Sequence, residues 1–371
     1  MGTMNELINA SAIRTLVRVL TPAAPGVTFT AVRATTAQLG ELNLRARSDL
    51  VSRALLADLP DDYPQIAAIF RAALADPAFT GWLIWPVTET VATAALAAPT
   101  RPRPTRSAFI DGLELLAELT PRLTSEFAIR RFLQADLAAA LEVVTGWTAH
   151  PDEHVRRLAS EGTRQFLPWA IRVPALLAAP TATLPILTAL HRDPSEYVRR
   201  SVANHLNDLS RQNPGIVTAT ARDWLAADED TNTRWVVRHG LRTLIKKADP
   251  EALALMGFQP ATVSVSALAL EAGTVVSPGD LVFTFDVTNE GEEPARLAVD
   301  YVIHYLKSNG THSEKVFKLG TKTVAPGERL TLTKRQSFKP ITTRVHYAGE
   351  HAVELQINGA RHHRTPFHLQ L

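Results

Sequence analysis

The feature that most constrains this chain is an internal repeat. Residues 150–170 read HPDEHVRRLASEGTRQFLPWA, and residues 191–211 read HRDPSEYVRRSVANHLNDLSR. Both pieces run His-Pro or Asp-Pro, an acidic residue, an apolar residue, then Arg-Arg. Val155 and Val198 hold the same place, 43 residues apart. A related frame, DEDTNTRWVVRHGLRTL, recurs at residues 228–244. Self-similarity at such a period is the mark of helical pairs that stack into a solenoid, because a single pair cannot bury its apolar face alone. These repeats also carry more polar residues than stacking requires, and that excess is where function is sought.

At 371 residues the chain is too long for one core and fits two domains. Hydrophobic residues make up 46% and charged residues 20%, which is globular. The absence of cysteine excludes disulfides and thiolate metal sites and leaves a cytoplasmic address as the expectation. The opening MGTMNELINASAIRTLVRVL lacks a secretory pattern. No run of about 18 apolar residues is present, so no membrane span is expected. A net charge of +2 names no partner. Its distribution says more: no lysine precedes Lys246, so the first two thirds rely on arginine. Arginine's planar fork suits phosphate. A GC-rich codon supply gives the same bias, and both readings stand.

Residues 1–60 read as the irregular capping end of a helical array. Ile66, Ile69, Phe70 and Leu74 set a helical stripe over 64–75. A second helix covers 79–97, with Trp85-Pro86 marking a boundary or kink. Residues 98–106, APTRPRPTR, read as a basic linker. A helix over 111–119 follows. Thr124 or Ser125 then caps a helix holding Glu126, Ile129, Phe132 and Leu133, and 135–147 is its partner. From 152 to 247 the pattern is regular, with Asp152, Ser195 and Asp230 at N-cap positions. About a dozen helices are expected in all. Near Pro250 the spacing switches to period two. Strands are expected over 263–270, 280–289, 296–306, 315–320, 328–338 and 351–359, with glycine-bearing turns between them. The predicted fold is mainly α with a β domain: a HEAT-like helical-repeat solenoid over 1–250, then an Ig-like β-sandwich over 260–371.

The repeat register serves as a ruler. Glu161 lies six residues after Val155 and Asp208 ten after Val198, a difference of one helical turn. Both carboxylates therefore project from the same face of neighbouring helices. Gln165 and Asn204 take the reciprocal places, which would make four polar positions on one face. Glu126, one pair earlier, reaches toward the same surface. Two readings stand. The carboxylates form a site, or Arg157 and Arg164, four before and three after Glu161, pair with it as ordinary helix-surface ions worth about 0.2–0.5 kcal/mol. Arg156-Arg157 and Arg199-Arg200 likewise read as binding residues or as structural arginines between layers. Trp169 follows Pro168 at the end of the Glu161 helix. It is either core or an exposed indole that stacks on a cationic base. No metal-ligand spacing, glycine-rich phosphate loop or GxSxG elbow occurs among these residues, so no metal and no cofactor are expected.

HPDEHVRRLASEGTR, DPSEYVRRSVANHLNDLSRQNP and TRWVVRHGLRTL together resemble the AlkC branch of the AlkD-like bacterial DNA alkylation-repair glycosylases, over about residues 60–248. The β-rich tail fits, since some members of that branch carry an Ig-like domain there. The resemblance implies a monofunctional glycosylase of base excision repair that hydrolyses the N-glycosidic bond of N3-alkylated bases such as 3-methyladenine and 3-methylcytosine. It implies Asp208, Glu161 and Glu126 as catalytic carboxylates and Arg157, Arg164 and Trp169 as cleft residues. Arg200 and Asn204 are further candidates for the DNA-binding face. The implied partner is double-stranded DNA containing alkylated bases, met by a monomer. A base alkylated at N3 is already cationic, so it leaves without a general acid. Fixed carboxylates can then hold the oxocarbenium-like sugar and orient water. The lack of lysine here argues against a Schiff-base lyase. Two rivals remain: a non-catalytic DNA-binding module, and a protein-interaction scaffold. The Ig-like tail reads either as a grip on DNA through residues 308–310 and 334–335 or as a stabilising appendage.

Overall fold

The computed structural model describes residues 4–98, 107–227, 230–342 and 344–371. Residues 99–106 of the expected linker, and Asp228 and Glu229 of the third repeat frame, lie outside the described residues. The chain forms two compact units, Met1–Ile216 with Ala227–Gly240, and Val217–Ala226 with Leu241–Leu371.

The first unit is helical, and the second contributes helices of its own before its strands. In chain order the helices are α1 (Ala10–Ala23), α2 (Thr30–Ala34), α3 (Leu44–Asp58), α4 (Tyr63–Ala73), α5 (Ile84–Ala97), α6 (Ala108–Leu119), α7 (Ile129–Ala135) and α8 (Leu137–Gly146). There follow α9 (Glu153–Glu161), α10 (Pro174–Ala178), α11 (Leu184–Leu190), α12 (Glu196–Leu209), α13 (Pro214–Ala227) and α14 (Thr231–Gly240). With α15 (Arg242–Lys246) and α16 (Pro250–Leu255), the described residues hold sixteen α-helices, more than the dozen expected. Several, such as α2, α10 and α15, span five residues, too short to set a period. Trp85-Pro86 marks a boundary as expected, since both lie in the first turn of α5.

The repeat explains itself in the loops that enter α9 and α12. Asp152 caps α9 by accepting from the His154 N–H at 2.7 Å. Ser195 holds the N-cap position of α12, but its hydroxyl donates to Glu153 instead. The first arginine of each Arg-Arg pair is structural. Arg156 donates to the carbonyls of His150 and Pro151, and Arg199 to those of Asp193 and Pro194. Arg156 also grips Asp193 with both arms of its fork, at 2.7 and 3.1 Å. Each repeat thus uses its own arginine to satisfy the carbonyls of the loop that starts it. Val155, Leu158, Val198, Val202 and Leu206 are buried between the layers. A Cβ at Gly162 would sit 2.7 Å from Ile129 Cγ2, so α7 packs directly on the end of α9.

The second unit holds strands β1 (Val263–Val265), β2 (Ala269–Leu270), β3 (Thr274–Val276), β4 (Asp280–Asn289), β5 (Ala295–Leu306), β6 (His312–Val324), β7 (Arg329–Ser337), β8 (Gly349–Ile357) and β9 (Ala360–Gln370). One sheet has β4 paired with β1, β2 and β7; the other runs β3-β9-β8-β5-β6. Phe283, Phe285, Tyr301, Tyr305, Phe338 and Phe367 belong to their shared core. The two sheets form an Ig-like sandwich. The expected strand over 263–270 is two strands. Val265 pairs with Val287 but Ala269 with Thr284, a slip of one residue in register. β3 and β9 were absent from the six expected strands.

Candidate active site

The three carboxylates reach one place from three elements. Glu161 is the last residue of α9 and Asp208 the next-to-last of α12. Glu126 is not helical, contrary to the sequence expectation. Ser125 spends its hydroxyl on the Leu116 carbonyl at 2.7 Å, and the Thr124 hydroxyl donates to Glu126 Oε2 at 3.0 Å. Thr124 Oγ1 accepts from the Glu126 N–H at 3.3 Å, but this closes only a turn: α7 starts at Ile129 without a side-chain cap, and Glu126 sits in the preceding turn.

Arginines alternate with these acids. Arg157 donates to Glu126 Oε2 at 2.8 Å and lies 3.5 Å from Glu161 Oε1. Arg164 donates from Nη1 to Glu161 Oε1 at 2.6 Å and from Nε to Asp208 Oδ2 at 2.9 Å. Arg211 stands 3.7 Å from Asp208 Oδ1. Glu161 also accepts from the Ser201 hydroxyl at 2.7 Å, and Asp208 from the Phe166 N–H at 3.3 Å. The order is therefore Glu126, Arg157, Glu161, Arg164, Asp208, Arg211. Glu161 is 5% exposed and Asp208 1%, while Glu126 is only partly buried. These are not helix-surface ion pairs, since two of the links join different helical layers.

Burial alone would push the Glu161 carboxyl up. The guanidinium groups of Arg157 and Arg164 and the Ser201 hydroxyl outweigh it and hold Glu161 below the usual range. For Arg157 and Arg164, burial works against the charge. The facing Glu126, Glu161 and Asp208 overcome it and keep both above an ordinary arginine. The cluster is a place that holds positive charge firmly.

Beyond Glu161 the helix stops, and this corrects two expectations. Trp169 does not end the Glu161 helix. It lies in the loop between α9 and α10, 65% exposed, with a φ of 62°. Gln165 lies in the same loop and does not share a face with Asp208. It is buried, and its Nε2 donates to the Leu176 carbonyl at 2.8 Å. The expected set of four polar positions is thus not assembled. Asn204 faces His239 of α14 at 3.3 Å. Arg200 is exposed and pairs with Glu196 one turn back on its own helix. Around the cluster, Arg172 and Arg211 place their guanidinium carbons 4.9 and 4.7 Å from the Phe166 ring, and Arg157 lies 5.0 Å from the Tyr197 ring. Sequence reasoning missed Ser201, Arg211, Arg45 and Arg130. Arg45 and Arg130 donate to carbonyls of the Trp169 loop from 124 and 41 residues away, pairings that no local spacing signals.

Among the described residues no helix is long and apolar enough to cross a membrane.

Three comparisons bear on this arrangement. A family model described as DNA alkylation repair enzyme matches residues 123–244, the span that holds all three carboxylates. A second, described as the C-terminal Ig-like domain of uncharacterised protein YhaZ, matches residues 264–371. Protein YhaZ of Bacillus subtilis (strain 168) is 36% identical over 322 residues, which is 86% of this chain and 85% of that protein. Among solved structures, the Pseudomonas fluorescens alkylpurine DNA glycosylase AlkC, bound to DNA containing an abasic site analog, is 33% identical. It superposes with a TM-score of 0.88 over 100% of both chains. With a likeness that runs through both units and a helical core that matches the repair-enzyme model, this chain belongs to the DNA alkylation repair enzymes, in the AlkC-like form that carries a C-terminal Ig-like domain.

Proposed function

We propose that the chain is a monofunctional DNA glycosylase that hydrolyses the N-glycosidic bond of N3-alkylated bases, 3-methyladenine and 3-methylcytosine, in duplex DNA. Residues 1–250 form the glycosylase domain in this reading, and residues 260–371 form the Ig-like domain. The relative described as bound to abasic-site DNA supports DNA as the partner.

One observation carries the reading. Three carboxylates converge on two guanidinium groups in a nearly dry setting, so the site is built to hold positive charge. The departure of an N3-alkylated base leaves positive charge on the deoxyribose. In low dielectric, fixed anions stabilise such a charge far better than water does. In this mechanism Arg164 yields its pairings to a backbone phosphate, and the sugar takes its place before Glu161 and Asp208. Water attacks C1′ and the C1′–N bond breaks. The base departs neutral with the bonding electron pair, and the water's proton passes to a carboxylate. Arg157, Arg164 and Trp169 line the cleft. Arg200, on the exposed side of α12, is a phosphate contact, and Asn204 a more remote cleft residue.

A second reading is favoured by the near-complete burial of Asp208. There the carboxylates are counter-ions for structural arginines, and the protein binds damaged DNA without cutting. One assay separates the two. Alkylated duplex is incubated with protein, and the freed bases are counted by chromatography. Wild type releases them, while Asp208→Asn, folded, falls by about 10²–10³-fold. Wild-type release by Asp208→Asn, or none from wild type, overturns the glycosylase reading.

A further inference from the structure

The loop over residues 162–173 carries both Arg164 and Trp169 with neither helix nor strand to fix it. Five of its carbonyls are instead taken by side chains from elsewhere in the first unit. Arg130, on α7, donates to the carbonyls of Gly162 at 3.1 Å, Arg164 at 2.8 Å and Ile171 at 2.6 Å. Gln134, also on α7, donates to Arg172 at 2.7 Å. Arg45, on α3, donates from Nη2 to Trp169 at 2.9 Å.

The last of these bonds stands apart. Trp169 adopts a left-handed backbone, φ 62°, which is unfavourable for a bulky residue and persists only where the surroundings impose it. Its indole is 65% exposed, so burial of the ring does not offset that cost. The loop's flank at Ile171 is open. A cavity of about 290 Å³ opens there, bordered by Arg45, Glu89, Phe127, Arg131 and Ile171. Arg45 spans this gap from a rigid shelf. Its guanidinium carbon lies 5.3 Å from the Trp85 ring and 5.6 Å from the Phe127 ring, and those rings stack at 4.8 Å. A planar cation held on stacked rings has little freedom of its own, so it can dictate where the carbonyl goes.

We infer that Arg45 is a positioning residue: from its aromatic shelf it pins the Trp169 carbonyl and so presents the Trp169 indole in one fixed direction to damaged DNA. The inference rests on Trp169 as a DNA-facing residue. Its rival is that Arg45 itself meets a DNA phosphate.

The test is a double-mutant cycle. Arg45→Met keeps the stem and removes the donors, and Arg45→Lys keeps charge but loses the planar stack. Each is made in wild type and in a Trp169→Ala background. Affinity for a duplex carrying an abasic-site analogue is read by anisotropy across a salt series. Arg45→Met weakens binding about tenfold in wild type, in line with the loss of one charged hydrogen bond. In the Trp169→Ala background it weakens binding less than about twofold, since coupled residues do not add. The salt slope is unchanged. Arg45→Lys falls between. Acrylamide quenching of Trp169, taken as the difference from Trp169→Phe, rises in Arg45→Met and reports the freed loop directly. Equal losses in both backgrounds, a salt slope reduced by about one unit, or unchanged quenching overturns the inference. If wild type frees no base from alkylated DNA, the glycosylase reading fails, yet the affinity cycle still decides the role of Arg45.

Discussion

Arg164 and Glu161 set the character of the site between them. Arg164 spans two helical layers by itself, and Glu161 lies between the two half-buried to buried arginines Arg157 and Arg164. Removal of Glu161 leaves Arg157 with Glu126 and Arg164 with Asp208, each short of one carboxylate in a poorly hydrated place. Glu161→Ala is expected to cost about 3 kcal/mol in urea unfolding, the penalty for a buried pair that loses one partner, and Glu161→Gln less. Equal, small effects for both would mean that the arginines find water. A pH dependence follows from the same contacts. The folded Glu161 carboxyl lies below its ordinary value of 4.5, so it binds fewer protons folded than unfolded near that pH. Its contribution is present above pH 4.5 and is lost as pH falls through the lower folded value. Wild type should therefore lose stability on acidification more steeply than Glu161→Gln, and parallel curves would refute the assignment. The acids and arginines were legible as residue types at a repeat spacing. Their division of labour was not. Arg156 and Arg199 hold loop carbonyls, whereas Arg157 and Arg200, identical in motif, part company. Arg157 meets Glu126 from another layer, and Arg200 meets Glu196 on its own helix.

Helix length decides how far a repeat register can be trusted. Measured from Val155 and Val198 it placed Glu161 and Asp208 correctly, since both lie inside helices. It failed at Gln165 because α9 ends at Glu161 while α12 runs on to Leu209. The stop comes where the chain must pass Ile129. A Cβ at Gly162 would stand 2.7 Å from its Cγ2 and 3.0 Å from the Leu158 carbonyl. Glu126 was misplaced for a related reason. Thr124 and Ser125 are good capping residues by type, but their hydroxyls bond Glu126 and Leu116. Capping preference is a local rule, and here the hydroxyls serve a turn and the preceding helix end instead of a helix start. Gly162→Ala should thus push α7 from α9 and lower stability by about 1–3 kcal/mol, the usual range for overpacking. Gly215→Ala is the control. No atom lies within 4 Å of a Cβ there, so the change should be neutral or slightly stabilising in the same thermal melts. If Gly162→Ala melts like the control, the close contact is not what ends α9.

At the scale of the whole chain the change of texture near Pro250 announced a second kind of structure. The helical period could not say which core each helix serves. Val217–Ala226 and the residues from Leu241 group with the strands, although they are as helical in pattern as their neighbours. Two units with separate cores should respond separately to pH, and Asp300 offers a handle on the second. It lies on β5, 7% exposed, opposite Lys318 and Gln356 in the sheet. Burial raises its carboxyl to about 6, and the pull of Lys318, Gln356 and Lys246 only partly opposes that. An acid raised above its unfolded value of 3.8 binds more protons folded than unfolded between those two values. Its ionised form therefore costs stability in full above pH 6, and the cost disappears as pH falls toward 4. At most that cost is about 2–3 kcal/mol. Asp300→Asn should raise the melting temperature of the strand-rich unit at pH 8, leave it nearly unchanged at pH 4, and leave the helical transition alone at both. Calorimetry at the two pH values reads all three outcomes. A loss of stability at pH 8 would show that Asp300 is held there by its lysines as a needed anion rather than tolerated as a buried one.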